Sequence, residues 1–128
     1  MINLKYLIDQ TEQFIESNDD DALNDLLENL NISEVKEIID ELPEEGAKFI
    51  AMLPLSRAIH VFRILEFPVQ ERIIKELPAP KVAEIINELP PDDRTSFFSE
   101  LHGDVVKNLI ILLPTEDRKE ALALLGYQ

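Results

Sequence analysis

An all-α fold, a superhelix of about ten short helices stacked as helical hairpins, is what this sequence of 128 residues predicts. Three observations carry that reading. Leucines stand at positions 53, 65, 77, 89, 101, 113 and 125, each twelve residues after the last, and Leu30 and Leu42 extend the ladder upstream after a one-residue slip. A breaker or turn residue follows most rungs: Leu42-Pro43, Leu53-Pro54, Leu77-Pro78, Leu89-Pro90, Leu113-Pro114 and Leu125-Gly126, with Leu101-His102-Gly103 keeping the break without proline and Leu65 displacing it to Pro68. The eighth and ninth residues after each rung are apolar in all six repeats, namely Val61-Phe62, Ile73-Ile74, Ile85-Ile86, Phe97-Phe98, Leu109-Ile110 and Ala121-Leu122.

Each apolar pair joins the next leucine in an i, i+1, i+4 set, which is one stripe of an α-helix. Proline starts each helix, because its missing N–H costs nothing in the first turn. It also ends the preceding helix, because the residue before proline avoids the α region. Helices of about nine residues follow, too short to be stable alone and therefore held by their neighbours. The fifth residue after each rung alternates apolar and polar: Ala58, Gln70, Val82, Arg94, Val106, Arg118. Two repeats thus make one hairpin, with one helix more buried and the other more exposed.

The first 41 residues are less regular. Leu4, Leu7, Ile8, Thr11, Phe14 and Ile15 predict a helix over 4–16. Ser17-Asn18-Asp19-Asp20 is a cap and turn cluster, followed by a helix over about 20–30 through Leu23, Leu26, Leu27 and Leu30. Ser33 is expected to cap a third, carrying Val35, Ile38, Ile39 and Leu42. The division is a single domain over 1–128, with acidic N-terminal helices over 1–41 and the twelve-residue repeats over 42–125.

Composition narrows the function classes. With 19 leucines, 15 isoleucines and no cysteine, the chain has the aliphatic content for a core and excludes disulfides, thiol catalysis and cysteine-bound zinc. The net charge of −14 is uneven: residues 1–45 hold 14 acids against Lys5 and Lys36. A nucleic-acid binder needs clustered cations, so nucleic acid is excluded as a partner. An acidic face suits a basic partner, divalent cations or plain solubility. Asp9, Glu12 and Glu16 interrupt the start before any apolar run reaches signal-peptide length, and stretches such as Leu109–Leu113 fall far short of the ~20 residues of a membrane span. The sequence therefore reads as a soluble polypeptide, with no direct membrane insertion of this segment.

The inventory for catalysis is poor. Ser17, Ser33, Ser56, Ser96 and Ser99 lack a GxSxG setting, and three glycines build no phosphate cradle. His60 falls on the polar side of its helix, and His102 stands where proline would start one. No enzyme activity is expected. Acids do gather in first helical turns, at Pro90-Pro91-Asp92-Asp93-Arg94, Pro114-Thr115-Glu116-Asp117-Arg118 and Pro43-Glu44-Glu45. There each complements the helix macrodipole by ~0.3–1 kcal/mol. A weak magnesium site shared with another element remains open from spacing, because magnesium keeps most of its waters and takes one or two carboxylates per partner.

The repeat Leu89-Pro90-Pro91-Asp92-Asp93-Arg94, with residues 77–89 before it, resembles the cytosolic N-terminal domain of MgtE-type magnesium transporters, whose repeats read L-P-P-E/D-x-R…L-L…L. The resemblance covers most of the chain and is best over 42–125. Leu124-Leu125-Gly126-Tyr127-Gln128 looks like the junction where family members run on into paired CBS domains and then a membrane domain. On that resemblance the chain is expected to be an excised regulatory domain or a natural fragment.

The resemblance, and not the periodicity, implies a gating domain on the cytoplasmic face of a homodimeric magnesium channel or transporter in the plasma (inner) membrane. Such a domain docks on a CBS domain of the same parent protein when magnesium is abundant, with weak, shared magnesium ions between two acidic surfaces. Carried over residue by residue, the acid that opens the helix after the Pro-Pro turn matches Asp92, with Asp93 beside it. A family carboxylate one turn further falls on Ser96, and another in the repeat after Pro54 falls on His60, so two positions depart from the pattern. The candidate metal-binding residues are Asp92 and Asp93. The alternative is a helical-repeat protein-interaction scaffold, for which the flagellar motor switch protein FliG is the nearest resemblance.

Overall fold

The computed structural model describes residues 3–101 together with 103 and 111, and over 3–101 it forms eight α-helices and one 3-10 turn. In chain order they are α1 (Leu4–Glu16), α2 (Asp20–Glu28), α3 (Ile32–Glu41), the 3-10 turn Pro43–Glu45, α4 (Gly46–Met52), α5 (Leu55–Ile64), α6 (Phe67–Glu76), α7 (Ala79–Glu88) and α8 (Pro91–Glu100). No strand occurs among the described residues. The predicted all-α class holds. The two further helices expected between 102 and 125 lie outside the described residues, Gly103 and Ile111 apart, which are helical.

The leucine ladder is the core. Leu30, Leu53, Leu65, Leu77, Leu89 and Leu101 are all buried, none more than 8 % exposed. The apolar pairs lie deeper still: Val61, Phe62, Ile73, Ile74, Ile85, Ile86, Phe97 and Phe98 are at most 4 % exposed. Among the described rungs, Leu42 is the one that stays half-buried. It ends α3 with φ −126° and ψ 62° and leads into the 3-10 turn and the seven-residue α4. This broken repeat is where the one-residue slip of the ladder falls.

Proline acts one position earlier than the sequence predicts. Pro54, Pro78 and Pro90 are N-caps, with φ between −61° and −55° and ψ near 147°, and the helices begin at the next residue. The preceding leucines are extended too, with ψ of 147° at Leu53, 150° at Leu77 and 139° at Leu89. A leucine that precedes proline is driven out of the α region, so each joint is two extended residues long. Pro80 and Pro91 occupy the first turns themselves, where no N–H is needed.

The cap of α3 also differs from expectation. Asn31, not Ser33, is its N-cap: the Asn31 side chain accepts from the Glu34 N–H at 2.8 Å, and the Glu34 carboxylate accepts from the Asn31 N–H at 3.0 Å. This reciprocal capping box satisfies two otherwise orphaned donors, and a serine cap at 33 lacks such a partner. At the α1–α2 turn, Asn18 takes φ 55°, a region asparagine tolerates better than most residues, and Asp19 caps α2 by accepting from the Ala22 N–H at 3.1 Å.

The chain divides into two compact units, residues 1–65 and 66–128. In the first, α1 packs on α2 and α3, and α5 packs on α3 and α4. Arg57 of α5 ties down the end of α2, donating from Nη1 to the Leu27 carbonyl at 3.0 Å and from Nη2 to the Leu30 carbonyl. In the second unit the Phe67 and Phe97 rings lie 5.9 Å apart between α6 and α8, and Phe98 stands beside Phe97. Arg94 departs from the expected exposed, polar position. It is 7 % exposed, and its Nη2 donates to the carbonyls of Asn87 and Leu89. Burial is tolerated because the guanidinium satisfies carbonyls that the end of α7 leaves without helical partners.

Candidate functional site

Asp92 and Asp93 occupy the first turn of α8, directly after Pro91. Pro90 makes no side-chain cap to this helix, and the two acids stand in its first turn, near the positive end of its dipole. Asp92 is exposed and Asp93 half-buried. Ser96, one turn further, is exposed and carries no charge. Thr95 donates to the Pro91 carbonyl at 2.9 Å, and Ser99 donates to the Ser96 carbonyl at 2.8 Å, so neither hydroxyl proton is directed at the acids. The structure thus sets Asp92 and Asp93 side by side, with no further acid in the next turn of α8.

His60 is exposed on α5, in the first unit, and His102 lies outside the described residues. Among the described residues no three His, Asp or Glu side chains converge in a geometry that holds a metal ion. A pair such as Asp92 and Asp93 can supply one or two outer or inner contacts to a hydrated magnesium ion. The remaining ligands would come from water or from another surface.

The first unit carries two surface features that periodicity does not reveal. One is a small cavity of about 170 Å³, lined by Glu12, Ile15 and Glu16 of α1 and by Leu42, Glu44 and Glu45 around the 3-10 turn. Four carboxylates surround two aliphatic side chains there. The other is a shallow groove of about 310 Å³ between α1 and α2, lined by Gln10, Phe14, Ala22, Asp25, Leu26 and Asn29. Both depend on how α1 seats against its neighbours, which spacing alone does not specify. Some of the acids are compensated within the unit: Lys48 approaches Asp20 at 3.2 Å and Lys36 approaches Asp40 at 2.6 Å.

No described helix is long and apolar enough to cross a membrane. The family of MgtE intracellular N domains matches residues 44–128. Among solved structures, the crystal structure of the cytosolic domain of the Mg2+ channel MgtE in complex with ATP is similar, with a TM-score of 0.79 and 26 % sequence identity. That likeness covers 94 % of this chain and 50 % of the other, so the chain spans about half the length of the structure it matches. Comparison with curated proteins gives no match.

Proposed function

The chain belongs to the family of MgtE intracellular N domains, and from that premise we propose that it is the cytosolic regulatory domain of a magnesium channel or transporter. It docks on a CBS domain of the same parent protein, and weak, shared magnesium ions decide whether docking is tolerated. The parent is a homodimer in the plasma (inner) membrane. The whole of 1–128 acts as one domain in this role, and it is not an enzyme.

The observation that carries the reading is the family match over 44–128, with Asp92 and Asp93 at the exposed start of α8 inside it. The likeness to the cytosolic domain of an Mg2+ channel supports the same class of function. Two acidic surfaces repel across water, and the repulsion weakens when divalent cations accumulate between them. Asp92 and Asp93 place two carboxylates in the first turn of α8. Asp92 is the more accessible of the two. Any ion bound only in the docked form favours that form by RT ln(1 + [Mg]/Kd), so a few weak sites suffice for a millimolar switch.

The test is binding of the purified chain to the CBS fragment encoded with it, with magnesium varied through the millimolar range and then chelated. Association is expected only with magnesium, and Asp92→Ala is expected to weaken it tenfold or more. Association indifferent to chelator would overturn the reading in favour of a magnesium-independent scaffold. By calorimetry the isolated chain is expected to bind magnesium weakly or undetectably, and a tight intrinsic site would contradict the shared-ion scheme.

A further inference from the structure

We infer that the groove between α1 and α2 is a docking surface for a short amphipathic helix that carries lysine or arginine along one flank. The floor is apolar: Phe14 of α1 and Ala22 and Leu26 of α2 are half-buried in a volume of about 310 Å³. Tyr6, 59 % exposed, lies on the same face of α1, because positions 6, 10 and 14 recur at helical spacing. A half-buried apolar floor, with an exposed aromatic ring two turns away along α1 beyond Gln10, offers binding area that plain solubility does not call for.

The rim selects the partner's chemistry. On α2, Asp21, Asp25 and Glu28 stand at i, i+4 and i+7, one step around the helix from the Ala22–Leu26 stripe, and all three are exposed. None of the three is in an ion pair among the described residues, and Glu28 accepts only a 3.3 Å hydrogen bond from Asn24. The α1 rim is uncharged, with Gln10 and Gln13. The groove is therefore asymmetric in charge, apolar beneath and negative on the α2 side. The complement is a helix with an apolar stripe and cations on one flank. Because α2 has nine residues, about 13 Å, it accommodates two to three turns of such a helix. Both walls precede residues 44–128, so the surface lies outside the family-matched segment.

The probe is a synthetic amphipathic peptide of about four turns, with leucines at helical spacing and lysines along one flank. It is compared with the same peptide carrying glutamates in place of the lysines, in magnesium-free buffer with the full chain. The lysine peptide is expected to bind at least tenfold more tightly, with NMR perturbations centred on Phe14, Ala22 and Leu26. Leu26→Gln is expected to weaken binding at least fivefold. The triple neutralisation Asp21→Asn, Asp25→Asn, Glu28→Gln is expected to weaken it at least fivefold and to flatten its salt dependence. A control triple, Glu37→Gln, Glu41→Gln, Glu44→Gln, is expected to change it less than twofold. Circular dichroism checks that every variant folds, and the charge triples, entirely on the surface, stand in if Leu26→Gln does not. Equal affinity for the two peptides, equal loss in the two triples, or perturbations centred elsewhere would overturn the inference. So would a concentration-dependent dimer abolished by Leu26→Gln, which would assign the groove to a second copy of the chain.

Discussion

The guanidinium of Arg94 donates from Nη2 to the main-chain carbonyl of Asn87 at 3.0 Å, seven residues back, and so closes the end of the preceding helix. The same Nη2 reaches the Leu89 carbonyl at 3.3 Å. Arg57 does the equivalent for α2, across 27 and 30 residues, at the carbonyls of Leu30 and Leu27. In both units an arginine therefore supplies the donors that a helix C-terminus lacks, and a cation there also complements the negative end of the dipole.

Arg94 is buried, so its loss leaves two carbonyls unpaired as well as a void. Arg94→Ala is expected to destabilise the protein by about 2–4 kcal/mol, from unpaired acceptors and lost packing together. Arg94→Lys is expected to recover part of this, because both bonds come from the single nitrogen Nη2 and an ammonium also carries several donors, while the packing of the larger planar group is lost. Urea denaturation checks both, and a neutral Arg94→Ala would show that the contact contributes nothing.

Arg57 has a local signature. Arg57→Ala is expected to cost about 1.5–3 kcal/mol, the range of hydrogen bonds that involve a charged group. The amides of α2 and of the α2–α3 turn should exchange faster with solvent, with smaller changes in α7. Hydrogen exchange resolved by residue measures the difference, and uniform acceleration throughout would contradict the assignment.

Two candidate caps for α3 can be separated directly. Asn31→Ala is expected to lower stability by about 1 kcal/mol, while Ser33→Ala stays within about 0.5 kcal/mol of the parent. Thermal melts of the two variants decide, and the reverse order would return the cap to Ser33.

The ladder predicts a contrast between rungs. Leu53, 3 % exposed, should cost about 2–5 kcal/mol on replacement by alanine. Leu42→Ala should cost about half as much, because that side chain is only half removed from water. Equal losses at the two positions would mean that the half-buried rung contributes as much as the buried one.

Much of this was legible in the sequence for one reason: a strict twelve-residue period forces the same positions inward in every repeat. Leu77 and the Ile85-Ile86 pair are buried as their spacing requires, and Pro78 marks the joint. What spacing misses is chemistry that depends on a partner several residues away. Arg94 reads as an exposed polar position until the Asn87 carbonyl is seen beneath it. Ser33 reads as a cap from its residue type alone, whereas the cap that forms is the reciprocal pair of Asn31 and Glu34. The groove at Phe14 and Leu26 comes from the seating of α1 on α2, and no periodicity reports that. Asp92 and Asp93 were legible as first-turn acids, and the structure sets them in that turn with no third metal-ligating side chain converging on them among the described residues.

The two-residue joints leave almost no slack. Leu53-Pro54, Leu77-Pro78 and Leu89-Pro90 are already extended, and a pair of residues reaches no further than about 7 Å. Inserting one residue within a helix would turn everything after it by about 100° and aim its apolar stripe at solvent. Such a chain changes length safely by gaining or losing entire hairpins of two twelve-residue repeats, and a push on one helix is passed to the next through taut connections.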